Sequence, residues 1–185
     1  MKIGVISDTH GHEMRWALAY EKLFSDADMV IHAGDVLYHG PRNPMLEDYN
    51  PAGLARRIND CPIPVVIAKG NCDSEVDQLV IESPIQSPYA YVVAEGKRIV
   101  ATHGHTVEPD AEKDAMAAAL KADIFITGHI HTNVLERRGG TVFLNPGSPS
   151  LSKREDERST AALIEDGIIS IYDIDSGERL MELDW

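Results

Sequence analysis

Five short apolar runs in this chain each stop on residues that bind metals: "SDTH" (Asp8, His10), "GD" (Asp35), "GN" (Asn71), "THGH" (His103, His105) and "GHIH" (His129, His131). Taken singly, these pairs are weak signals, because Gly-Asp and Gly-Asn are ordinary turn pairs. Taken together they are strong, since all five follow an apolar strand. The donor types are carboxylate, imidazole and side-chain amide, with no second thiolate. That set suits Mn²⁺, Fe²⁺, Co²⁺, Ni²⁺ or Zn²⁺ better than Ca²⁺, and it disfavours a cysteine-rich structural zinc site. Seven of these eight side chains, leaving out His105, already exceed what one tetrahedral ion needs. If a carboxylate bridges, they suit two ions with open positions, the clamp used for displacement at phosphorus.

The stops converge only if the strands lie side by side. In an open α/β sheet, ligands gather at the carboxyl ends of the strands. "KIGVIS", "DMVIHAGD" and "IPVVIAKGN" read as buried strands. Between them, Glu13 to Ser25 has Trp16, Tyr20, Leu23 and Phe24 at helical spacing, and "PAGLARRIN" is a helix with Pro51 in its first turn. The opening third is therefore β-α-β-loop-α-β, which favours a mainly parallel sheet. "LYHGPRNPMLEDYN" is an irregular excursion. "PYAYVVAEGKRIVATHGH" predicts a hairpin turning at Glu95-Gly96, "DAEKDAMAAALKA" a helix, and "DIFITGHIH" another strand. The remainder reads as an antiparallel meander with Gly-Gly, Asp-Gly and Ser-Gly turns, interrupted by a solvated charge cluster, Ser152 to Arg158. The expected fold is two packed sheets flanked by helices, in a single domain over residues 1–185.

Composition narrows the function. The 185 residues are 43% hydrophobic and 25% charged, ordinary values for a globular protein. A formal net charge of -13 argues against a surface for long nucleic acids, which requires clustered Lys and Arg. An anionic substrate is then bound through a cation that reverses the local sign. No apolar run approaches 18 residues and no basic, apolar leader is visible, so a cytoplasmic location and no membrane partner are expected. Cys61 and Cys72 have no zinc-type spacing. Edge strands in the last third leave a homo-oligomer open.

The ordered set "DTH…GD…GNCD…THGH…GHIH…NPGS" resembles the calcineurin-like metallophosphoesterases, most closely the small bacterial phosphodiesterases of the YfcE type. The likeness covers nearly the whole chain. It implies a four-layer α/β/β/α sandwich with two mixed sheets, a two-ion centre of the manganese type, and hydrolysis of a small phosphodiester by in-line attack of a metal-bridging hydroxide. It also implies the ligand sets. Asp8, His10, Asp35 and His131 hold one ion, Asp35, Asn71, His103 and His129 the other, and Asp35 bridges. Spacing alone assigns no ligand to either ion. On the same resemblance, Asp35 and Asn71 serve the chemistry, and the "NPGS" turn supports the site; Cys72 and His105 are further catalytic candidates, Cys72 being otherwise a small, half-buried and inert side chain.

Other residues are open at this level. His105 contacts substrate phosphate or orients a ligand. His39 and Arg42 bind substrate if the excursion folds over the site. His32, inside a strand, is expected to be structural, and His12, in a loop, exposed. Cys72 stands where many members of the wider superfamily have a histidine that assists the leaving group. A thiol beside two dications should ionise below its reference pKa of about 8.5, and a thiolate cannot donate a proton. The site is then expected to favour leaving groups that depart unaided. Two other functions compete: an interaction scaffold, as in the retromer subunit that shares this fold but has a degraded site, and a phosphomonoesterase or phosphoanhydride hydrolase.

Overall fold

A computed structural model describes residues 1–107 and 109–185. Seven strands form one sheet and five the other. The first holds β1 (Lys2–Ile6), β2 (Met29–His32), β3 (Val65–Ala68), β4 (Ile85–Gln86), β10 (Thr160–Glu165), β11 (Ile168–Asp173) and β12 (Arg179–Asp184), ordered β12-β11-β10-β1-β2-β3-β4. The second holds β5 (Ala90–Ala94), β6 (Lys97–Ala101), β7 (Ile124–Ile126), β8 (Asn133–Arg138) and β9 (Thr141–Pro146), ordered β5-β6-β7-β9-β8. Both sheets are mixed. β1 to β4 run parallel, as do β6, β7 and β9, while the outer strands are antiparallel.

Three apolar layers hold the sandwich together. Ile3, Val5, Ile31, Ile99, Ile124, Leu144 and Ile171 fill the space between the sheets. On the outer face of the larger sheet, Ile6, Val30 and Ile67 meet Trp16 of α1 (Glu13–Ala19) and Leu54 and Ile58 of α2 (Pro51–Asn59). On the outer face of the smaller sheet, Val100, Phe125 and Phe143 pack under Ala117 of α3 (Asp110–Ala119). The helices thus form the outer layers, as the four-layer expectation requires. α2 starts where Asn50 Oδ1 accepts the Gly53 N–H at 3.0 Å, which satisfies one free donor of the first turn.

The sequence reading needs four corrections here. The meander is not continuous: β8 and β9 close the smaller sheet, whereas β10 to β12 extend the larger one. A hairpin pattern cannot tell which sheet will take the strand, because both offer an apolar face. The first helix changes after Ala19 into a single π-helical turn, Tyr20–Phe24, rather than running on to Ser25. The two-residue β4 is too short to leave a periodic signature. The segment 152–158 is more than a solvated cluster, since the Lys153 N–H bonds the His131 carbonyl at 3.0 Å and Arg154 bonds the side chains of Asn133 and Asp156. The Glu95-Gly96 hairpin forms as expected, with both residues in the left-handed region that a tight two-residue turn demands.

Candidate metal centre

Strand register brings the five stops to one edge. In the larger sheet Ile6 pairs with His32 and His32 with Ile67, so the chain leaves three neighbouring strands side by side towards Asp8, Asp35 and Asn71. In the smaller sheet Ala101 pairs with Ile126 and Ile126 with Leu144, which places His103, His129 and Asn145 at the matching edge. The loops after β1 and β2 are then stitched together. The Asp8 N–H donates to the Gly34 carbonyl at 2.9 Å and the His10 N–H to the Asp35 carbonyl at 3.0 Å.

The turns are tight. Asp8, His10, Asp35, His129 and His131 all have φ between 47° and 71°, a region that costs a side-chain-bearing residue energy. Such strain persists where the surroundings over-determine it. At two positions neighbouring side chains press so closely on the backbone that only glycine fits. A Cβ on Gly70 would lie 2.2 Å from Asp35 Oδ1, and one on Gly128 would lie 1.9 Å from Ser7 Oγ and 2.7 Å from Asp8 Oδ2.

Each carboxylate uses one oxygen to fix itself and presents the other to imidazoles. Asp8 Oδ2 accepts from Ser7 Oγ at 2.7 Å and from the His129 N–H at 3.0 Å. Its Oδ1 faces the Nε2 atoms of His131, His10 and His103 at 3.2, 3.7 and 3.9 Å. Asp35 Oδ1 accepts the Cys72 N–H at 2.7 Å, and its Oδ2 faces the Nε2 atoms of His103 and His10 at 3.3 and 3.7 Å. The rings are oriented from behind. The Nδ1 atoms of His10, His103 and His131 lie 2.8, 2.8 and 2.6 Å from the carbonyls of Tyr38, Ala33 and Leu151. A carbonyl only accepts, so each Nδ1 carries a proton and each ring turns its Nε2 inward, where it becomes a ligand atom once it is unprotonated.

The result is a cluster that asks for cations. The Nε2 atoms of His10 and His131 stand 3.1 Å apart. Asp8 Oδ1 and His103 Nε2 are buried without a hydrogen-bond partner. Ligand atoms of Asp8, His10 and His131 lie within 4.8 Å of one another, as do those of Asp8, Asp35 and His103, and those of His10, Asp35 and Cys72. The donor set therefore fits divalent ions of the carboxylate–imidazole type. Burial by itself would raise Asp8 and Asp35, but the neighbouring imidazoles outweigh it and hold both carboxyls below their usual range. Burial lowers His103, yet the Asp35 carboxylate more than reverses this and pushes it up to about 9. A proton on His103 thus takes the place of a cation in the metal-free protein.

A cavity of about 1060 Å³ opens over the cluster, lined among others by His10, Asp35, Asn71, His129 and His131. Arg42 lines it, as do Cys72 and two cations that the sequence did not single out, Lys113 on α3 and Lys153. Three cationic side chains around one opening, in a chain of net charge -13, mark it as the place for an anion. No local signal identifies Lys113 or Lys153, because each arrives from a distant segment. His39 does not line the cavity; its ring packs edge-on against Tyr38 and Tyr49, with centroids at 4.7 and 5.2 Å. His105 is exposed beside His103 and His129, at 5.6 and 6.1 Å between rings, outside the cavity lining.

His12 is buried rather than exposed, with Nδ1 2.6 Å from Asp48 Oδ1. His32 is the structural residue expected. It is fully buried, accepts the Gly34 N–H at Nδ1 and lies 2.9 Å from Thr9 Oγ1 at Nε2, and burial lowers it to about 3. Asp73, the last residue of the "GNCD" stretch, has a role that its place in the sequence does not announce. Its buried carboxylate accepts the N–H groups of Asp35, Val36 and Gly70 at 2.9, 2.7 and 2.7 Å and so ties the second stop to the third. Burial, then the Asp35 charge, pushes the Cys72 thiol up to about 12, so the protein's own field opposes the ionisation that dications would favour.

Fold and site together define a class: a two-sheet α/β sandwich with a carboxylate–imidazole centre at its strand ends. The calcineurin-like phosphoesterase superfamily domain matches residues 1–166. Phosphodiesterase YfcE of Escherichia coli K12 is 38% identical over 177 residues, covering 94% of each chain. The solved structure of the E. coli YfcE phosphoesterase superposes with a TM-score of 0.84 at 32% identity, covering 100% of this chain and 99% of that one. Zinc-complexed Vps29 of Entamoeba histolytica shares the fold, with a TM-score of 0.68 at 21% identity, covering 100% of this chain and 99% of that one. The chain belongs to the calcineurin-like phosphoesterase superfamily and is a phosphoester hydrolase of the metal-dependent kind.

Proposed function

We propose that the chain is a phosphodiesterase that acts on small phosphodiesters with two divalent ions, manganese first among them. One observation carries the reading: two carboxylates and three inward-facing Nε2 atoms converge on buried, partnerless polar atoms beneath a cation-lined cavity. Asp8, His10, Asp35 and His131 would hold one ion, and Asp35, Asn71, His103 and His129 the other. When bound, the ions supply Lewis acidity, acidifying a water for in-line attack at phosphorus and neutralising the equatorial oxygens.

The protein's own contribution is positioning. The carbonyls of Tyr38, Ala33 and Leu151 fix the three rings before substrate arrives. Arg42, Lys113 and Lys153 draw the anion into the cavity. Cys72 faces the same cavity and is a weak donor, so a strong general acid is missing from that position. The two free cysteines suit a reducing compartment, the cytoplasm.

The test is to strip the protein with a chelator, restore Mn²⁺ and follow hydrolysis of bis(p-nitrophenyl) phosphate. Turnover should return with the metal and fall at least about tenfold in Asn71→Ala. A folded protein that stays inactive with Mn²⁺, Co²⁺, Ni²⁺ and Zn²⁺ would overturn the reading in favour of a scaffold. Faster turnover of p-nitrophenyl phosphate than of the diester would instead make it a monoesterase.

A further inference from the structure

A second concavity of about 610 Å³ adjoins the metal cavity, and the two share Tyr38, Cys72 and Ser74 as walls. Their characters differ. The metal cavity carries Arg42, Lys113, Lys153 and the histidines, whereas the second is lined mainly by Leu37, Tyr49, Ala52, Ala55, Val76 and Val80. The surface at its edge is also apolar, with Val76 64%, Leu79 82% and Val80 52% exposed. Scattered exposed apolar residues are normal, but three beside an apolar concavity form a patch that meets water at a cost.

The link between the two spaces is short. Cys72 lines both, and its Sγ lies within 4.8 Å of ligand atoms of His10 and Asp35. A group attached to a phosphate held at those atoms therefore reaches the apolar concavity across one small side chain. We propose that this concavity is a subsite for an apolar ester group, so the substrate class is a phosphodiester in which one alcohol is aryl or alkyl. The inference rests on the phosphodiesterase reading for the identity of the anion. The occupant follows from continuity with the metal cavity: a ligand anchored by its phosphate gains burial of its apolar group without a second anchor.

The probe is a series of non-hydrolysable monoanchors: methyl-, butyl-, hexyl- and phenylphosphonate. Each is titrated calorimetrically into the Mn²⁺-loaded protein, and hydrolysis of bis(p-nitrophenyl) phosphate is followed in parallel. Transfer of a methylene from water to an apolar site is worth about 0.8 kcal/mol, or about fourfold. Hexyl- and phenylphosphonate should then bind at least about tenfold more tightly than methylphosphonate. Ala55→Glu and Val80→Glu should bring them back to the methyl value while methylphosphonate affinity holds. Equal affinities across the series in the unaltered protein, or no phosphonate binding, would overturn the subsite even if the diester is hydrolysed. A chain-length dependence without diester turnover would keep the subsite and overturn the phosphodiesterase reading. A dimer in light scattering that dissociates in Val80→Glu would assign the patch to a second copy and overturn the inference too.

Discussion

Asp8, His10, His103 and His131 are between 0 and 3% exposed, and each of the three rings is tied through Nδ1 to a backbone carbonyl. On the other side of the same cluster Asn71 is exposed, His129 and Cys72 are half-buried, and the loop after β3 that carries Cys72 opens onto both concavities. The first group sits on hydrogen bonds that must be broken before anything moves. The second can change side chains at little structural cost. One half of the centre therefore belongs to the fold as much as to the chemistry, and the other is where specificity can vary.

That contrast is broken most directly at Asp73, which anchors the open loop to the buried half. Asp73→Ala leaves three N–H groups without their acceptor. We expect a loss of about 3 kcal/mol or more in urea unfolding, with turnover falling alongside. Asn71→Ala should instead lower turnover with a stability change within about 0.5 kcal/mol, as for an exposed substitution. An Asp73→Ala protein as stable as the parent would show that the two halves are not coupled through this carboxylate.

A smaller effect sharpens the comparison at Cys72. Cys72→His adds a competent proton donor to the open half. Rates for diesters with poor leaving groups should rise, by up to about 10²-fold, while those with nitrophenol leaving groups change little. Parallel dependences on leaving-group pKa in the two proteins would remove general-acid catalysis from this position.

The smallest expected effect lies in the buried half. His103 holds its proton up to about 9 in the metal-free protein, because Asp35 raises it above the ordinary 6.5. A metal needs the neutral imidazole, so binding expels that proton below about 9, and affinity rises with pH until then. Calorimetry in buffers of different ionisation enthalpy should show about one proton released from this site near neutral pH and none well above 9. Release that is the same at both would place the proton elsewhere.

Much of this was readable beforehand because it is local. Apolar strands ending in Asp, His or Asn announce both the strand and the donor, and α2 is visible from its proline and spacing, with the observed bounds Pro51–Asn59. His32 could be recognised as structural from its place inside a strand. What failed was what depends on distant partners. His12 is buried because Asp48 and Tyr49 come to it, and His39 misses the cavity because Tyr49 takes its ring. Lys113 and Lys153 reach the opening from segments with no motif.

Residue types and their order along the chain suffice for the donor types and for the strand ends that carry them. These follow from residue chemistry and the two-residue period of a strand, which need no partner. Long-range contacts set which oxygen of each carboxylate faces inward, which nitrogen of each ring points to the centre, and that an apolar concavity shares the Cys72 wall. Those outcomes depend on backbone groups tens of residues away, whose positions are set by sheet register and close packing rather than by neighbours in the chain.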